Sequence, residues 1–197
     1  MKNLKRTFIF VLLLILTISI TVSAKSDTSS ERQKAMKVYK NILATNPYAG
    51  DEGGFKAYSF FLKDVNKDGI PELFINGAKK KEGYCLQVFS YSKGNDVWLY
   101  NSYTLDTYYY SEKERSILIY NSWQGRIDYA VYKFNNKCTN MSYAEGATCD
   151  NGKYYDSKNK KITKAKYEKL VKSCMSSMKK ISFPYENTKA NRDKYLK

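Results

Sequence analysis

Between Phe55 and Phe134 the apolar residues recur in short runs with a period of two, and this pattern confines the chain to a β-rich fold. Tyr58, Phe60 and Leu62 alternate with smaller or polar residues, and Leu73 to Ile75 resume after a turn, so the segment reads as strand, loop, strand. Further runs lie at Tyr84–Tyr91, Val97–Leu105, Ser116–Asn121 and Arg126–Phe134. They are divided by Lys93-Gly94-Asn95-Asp96 and Trp123-Gln124-Gly125, both rich in turn formers. Short strands joined by tight turns pair with their chain neighbours, which implies an antiparallel meander.

Helical spacing brackets this region. Thr28 with Glu31 resembles a capping box, and Ala35, Met36, Val38, Tyr39, Ile42 and Leu43 form one apolar stripe, predicting a helix from about Ser30 to Thr45. A second helix follows Thr163 as N-cap, because Tyr167, Leu170, Val171, Cys174, Met175 and Met178 repeat at three and four residues. Pro184 breaks the chain, and Thr188 caps a short terminal helix ending near Leu196. The expected fold class is α+β: an antiparallel β-meander sheet packed by an N-terminal and a C-terminal helix. Residues 25–197 hold no Pro- or Gly-rich linker and suit a single domain.

Residues 1–24 read as a signal peptide. Lys2, Lys5 and Arg6 precede an apolar stretch from Phe8 to about Ile20, and Val22-Ser23-Ala24 offers a small-residue cleavage site before Lys25. The stretch is shorter than the roughly 20 residues of a spanning helix, and no second run of that length follows. The expectation is a secreted, extracellular protein with no transmembrane segment in the mature chain, and neither a lipid-accepting Cys nor a sorting tail is visible. With three basic residues gone from 34, against 19 acids, the remaining chain still carries +12. Most of this lies after Asn151, where fourteen Lys and Arg face four Asp and Glu. Such a face suits an anionic cell-wall polymer or acidic glycan, held by contacts that weaken with salt. It is equally the composition of a solvated, solubilising surface. No nucleic-acid recognition motif accompanies it.

The sequence contains no histidine, which excludes Ser-His-Asp and Cys-His nucleophile systems and His-ligated zinc. Any catalysis must therefore run on carboxylates, Lys or Tyr. Cys85, Cys138, Cys149 and Cys174 all follow the leader, and an even count in an oxidising compartment reads as two disulfides. Three connectivities are open. The turn-prone Ala144-Glu145-Gly146 between Cys138 and Cys149 favours that pair and leaves Cys85 with Cys174.

One segment carries chemistry. Residues 64–73 read DVNKDGIPEL, placing Asp64, Asn66, Asp68 and Glu72 at loop positions one, three, five and nine, with Gly69 at six and the Ile70 carbonyl at seven. Alternating oxygen donors around a tight reversal suit calcium, a hard cation that takes six to eight oxygens. Three carboxylates so close repel one another unless a cation lies among them. The alternative is a metal-free hairpin turn built from the same Asp, Asn and Gly residues. An EF-hand would need an acid where Ile75 stands, and helices on both flanks. The loop resembles instead the calcium loops of FG-GAP and VCBS-type blades, although it occurs here once, without the tandem repeats of a propeller. More broadly, the chain resembles small exported proteins of Gram-positive gut bacteria that have an N-terminal helix, one loop like DVNKDGIPELFI, a meander and a closing helix, with the tail YENTKANRDKYL in support. That resemblance implies the fold and a structural calcium site, and no activity.

Nineteen Tyr, nine Phe and two Trp, dense in the YTLDTYYY run at 103–110, fit sheet packing and also suit stacking on sugars. Trp98 is expected in the core. Trp123, in a turn beside Gln124 and Arg126, is expected at the surface as the best single ligand contact. The sequence reads as a secreted calcium-binding domain acting as an extracellular binding module. The alternative is a carboxylate-dependent glycan or cell-wall hydrolase drawing on Asp106, Glu112, Glu114 and Asp128, which no motif pairs.

Overall fold

A computed structural model of the chain describes residues 28–45, 56–77, 85–102 and 106–197. The expected signal peptide at 1–24, and with it the expected cleavage site, lies outside the described residues.

Strand β2 (Glu72–Asn76) is buried at all five positions, and β3 (Leu86–Ser92) at all but its last. Such runs arise when both faces of a sheet are covered. Leu73 and Ile75 face one apolar cluster with helix α1 (residues 28–45), while Phe74 faces a second cluster on the opposite side. With β1 (Ser59–Lys63), β4 (Asn95–Asn101) and the short β12 (Tyr185–Glu186), these strands form a five-stranded sheet ordered β12-β1-β2-β3-β4.

The second sheet has seven strands in the order β10-β9-β8-β7-β6-β5-β11. These are β5 (Thr107–Ser111), β6 (Ser116–Trp123), β7 (Arg126–Phe134), β8 (Met141–Asp150), β9 (Lys153–Asp156), β10 (Lys161–Ile162) and β11 (Lys179–Lys180). Ile117 and Ile119 of β6 meet Phe74, Leu86 and Val88 of the first sheet, whereas Leu118 and Val131 turn the other way to meet Cys174 of α2 (Lys164–Met175). The result is four layers, α1 then sheet, sheet and α2. The terminal helix α3 (Lys189–Tyr195) joins the α1 side, where Leu196 is buried and Tyr195 stacks on Tyr185 at 3.8 Å.

The α+β class and the antiparallel pairing hold throughout. The strands nevertheless divide into two stacked sheets. The tail joins them: β11 pairs with β5 of the second sheet, Ile181 and Phe183 enter the inter-sheet core, and β12 pairs with β1 of the first. Both later helices begin where their caps stand, with Thr163 accepting from the Lys166 N–H and Thr188 from the Asn191 N–H.

Two sequence expectations are corrected, the turn at 144–146 and the burial of Trp98. Ala144-Glu145-Gly146 is not a turn but lies inside β8, with Ala144 the extra residue of a bulge opposite Val131 and Tyr132. Gly146 is there because a Cβ would fall 2.4 Å from the Tyr129 carbonyl oxygen and 2.6 Å from the Tyr143 hydroxyl. Consequently Cys138 precedes an extended strand that contains Cys149, which stands eight residues beyond Met141, about 26 Å along the strand. A disulfide needs Cα atoms within about 7 Å. Cys85 borders the α1 cluster while Cys174 lies on the buried face of α2, so the structure does not bring either expected pair together. Trp98 is 48% exposed rather than buried, because it projects from β4 at the edge of its sheet.

Candidate metal site

The loop at 64–71 links β1 to β2, and its turn is built by its own oxygen donors. Asp64 accepts from the Asp68 N–H at 3.2 Å and the Gly69 N–H at 2.9 Å, and Asn66 Oδ1 also accepts from the Asp68 N–H at 3.2 Å. Asp68 Oδ1 accepts from the Ile70 N–H at 2.8 Å, and Asn66 Nδ2 donates to Asp68 Oδ2 at 2.7 Å. Gly69 has φ +92, a region that strains any side chain, and a Cβ there would lie 2.7 Å from Thr28 Cγ2. The start of α1 thus rests on the loop, and Arg32 Nη1 donates to the Gly69 carbonyl at 3.3 Å.

Glu72 differs from its neighbours. It opens β2 pointing inward, is 1% exposed, and accepts from the Val65 N–H at 2.8 Å and from Ser90 Oγ at 3.4 Å. Burial, reinforced by the Asp68 and Asp64 charges, pushes its carboxyl up to about 8 despite the Val65 N–H. The Cys138 thiol hydrogen-bonds the same carboxyl and is itself pushed up by burial and by Glu72. Tyr39, on the buried stripe of α1, is raised well above the phenol range by burial and then by the Glu72 and Asp68 charges. Its hydroxyl is buried without a hydrogen-bond partner among the described residues.

Among the described residues no three acidic or thiol groups stand together as a preformed metal cage, and no ion pair involves Asp64, Asp68 or Glu72. The donor chemistry nevertheless fits a hard cation. A buried carboxyl held near-neutral, with two more carboxylates beside it and no basic partner, is the electrostatic environment that a divalent ion relieves. Asp64, Asn66, Asp68 and Glu72, with the Ile70 carbonyl, are the oxygens that would hold it. Sequence analysis did not connect Tyr39, Ser90 or Cys138 with the loop: Tyr39 and Ser90 belong to an ordinary apolar stripe and a strand, Cys138 stands in the β7–β8 turn, and all three meet Glu72 only through packing.

The other singled-out residues lie apart from this loop. Trp123 is 69% exposed at the end of β6. Glu112 pairs with Lys63 and Lys179, whose cations hold its carboxyl low, and Glu114 pairs with Lys133. Asp106 is buried and hydrogen-bonded by Asn121, Tyr108 and Ser102. Asp128 is bound by Arg126 and Thr148, and it stands directly across from Asn121. Among the acids considered for hydrolysis, only Asp106 and Asp128 therefore share a neighbour. Comparison with known proteins found no family model, no curated protein and no solved structure that matches this chain.

Proposed function

We propose that the protein is an exported calcium-binding module that presents a lysine-rich face to anionic cell-wall polymers or acidic glycans, the ion being a structural tie between β1 and β2. The observation that carries the calcium reading is the buried Glu72 carboxyl beside Asp64 and Asp68 with no basic partner among the described residues. The basic face is supported by the exposed Lys158, Lys160, Lys161, Lys164, Lys166, Lys169 and Lys172 on the β9–β10 hairpin and α2, against which, among the described residues, only Glu168 makes an ion pair. No helix among the described residues is long and apolar enough to cross a membrane.

Thermal melts in millimolar calcium and in chelator test the reading. Calcium at 100 times its dissociation constant adds about 2.7 kcal/mol, a rise in Tm of roughly 5–10 °C at this chain length, which Asp68→Ala abolishes. No rise in the unsubstituted protein would return the loop to a metal-free turn.

A hydrolase is the second reading, favoured by one observation: Asp106 and Asp128 flank Asn121 on neighbouring strands. Two strand spacings put their backbones about 9.6 Å apart, near the upper end of the carboxyl separation of inverting glycosidases. Reducing ends released from a glycan, and lost with Asp128→Asn, would decide for it.

A further inference from the structure

The inner face of the seven-stranded sheet changes character along its length. At one end Tyr108, Ile117 and Ile119 pack against the other sheet. Further along β6 to β9 the same face carries a polar row, in which Asn121 stands opposite Asp128, Asp128 opposite Thr148, and Thr148 opposite Tyr155. Asp106 extends it through its hydrogen bond with Asn121. A cleft of about 410 Å³ opens over this region, and no residue of the first sheet lines it.

Two exposed aromatic rings bracket the row. Trp123 is presented by the β6–β7 hairpin, whose tip residues Gln124 and Gly125 both take positive φ, as the tight turn requires. Tyr143, 48% exposed, lies against Gly146 and packs edge-on to Tyr132 at 5.7 Å, so its ring is braced before any ligand arrives. Along the strand direction the two are separated by the six residue steps from Arg126 to Tyr132, roughly 20 Å. Between them Asp128 is clamped by Arg126 Nε at 2.7 Å, Arg126 Nη2 at 3.1 Å and Thr148 Oγ1 at 2.6 Å.

We infer that this uncovered stretch of the seven-stranded sheet, from Trp123 across Asp128 to Tyr143, is a binding site for an uncharged glycan chain. A pyranose has an apolar C–H face and a rim of hydroxyls. Exposed aromatic faces remove the first from water, and fixed groups that both donate and accept satisfy the second. Two separated rings with polar groups between them match that alternation, whereas a lipid or apolar helix would need a continuous apolar strip. Arg126 is neutralised by Asp128, so the cleft lacks the cationic excess that the lysine-rich face offers to polyanions. The span exceeds one sugar ring and calls for an oligomer. Fixing Tyr143 and Asp128 beforehand lowers the ordering cost of binding.

The chain has two tryptophans, so Trp98→Phe leaves Trp123 as the sole indole reporter. Titration of that variant with the β-1,4-linked hexamers of glucose and of N-acetylglucosamine is expected to shift Trp123 emission saturably to the blue with at least one of them. By calorimetry on the otherwise unsubstituted protein, Trp123→Ala and Asp128→Asn should each weaken that binding about tenfold or more. Both variants should keep the calcium-dependent rise in Tm, so failure here and failure of the calcium reading are separable. Silence towards both hexamers, or binding that survives Trp123→Ala, overturns the assignment. Binding that disappears at high salt would also overturn it, because the contact would then be ionic.

Discussion

Replacing Glu72 by glutamine tests whether the β1–β2 loop holds an uncompensated buried carboxyl. Burial raises Glu72 from the ordinary 4.5 to about 8. An acid raised on folding holds its proton more tightly in the folded state, so its contribution to stability is complete below pH 4.5, shrinks as pH rises, and is gone once pH passes about 8. Each pH unit within that window costs the calcium-free protein about 1.4 kcal/mol, or about 4 kcal/mol by pH 7.5. For a domain of this length the equivalent change in Tm is roughly 8–16 °C. Glutamine retains an acceptor for the Val65 N–H, can donate to Ser90 Oγ, and does not ionise. In calcium-free buffer the Tm of the unsubstituted protein should therefore fall relative to Glu72→Gln between pH 5 and pH 8, with the variant melting higher at pH 7.5. In millimolar calcium the gap should narrow, since the ion stabilises a carboxylate more than an amide and its gain of about 2.7 kcal/mol offsets most of that loss. The assay is circular dichroism melting of both proteins at four pH values. A difference in Tm that stays flat with pH would refute the reasoning, whatever calcium does.

Two further outcomes follow from the same geometry. Asn187 donates to the Leu43 carbonyl at 2.8 Å and the Ala57 carbonyl at 3.0 Å while accepting from Arg192 at 2.8 Å, so one side chain ties α1, the segment that leads into β1, and α3. Asn187→Ala leaves these part-buried groups without partners and should cost about 2–3 kcal/mol in urea unfolding. Through its lysine-rich face the protein should bind immobilised polyphosphate at low salt and lose about tenfold or more in affinity by 300 mM NaCl, and salt-independent retention would argue against an ionic contact.

What was legible in the sequence is local. Periods of two and of three to four residues marked the β-rich middle and the helices around it, and Thr163 and Thr188 located two helix starts, because a cap needs only its own first turn. The β1–β2 hairpin was legible for the same reason, since Asp64, Asn66 and Asp68 bond to backbone within five residues of themselves. Tertiary structure decided the rest. β8 reads as a turn because Glu145 and Gly146 are poor strand formers, yet β7 and β9 supply ladders on both its sides. The tail strands β11 and β12 are two residues each and exist only because the edges of β5 and β1 accept them. Trp98 and Trp123 are chemically alike, and only sheet order places the first at an exposed edge and the second over an uncovered face. Stacking the two sheets also buries Glu72 beside Cys138 and Ser90, residues distant in the chain, and so turns an ordinary loop acid into one that ionises near neutrality. Burial is a property of layers, and no periodicity along one strand reveals which layer will cover it.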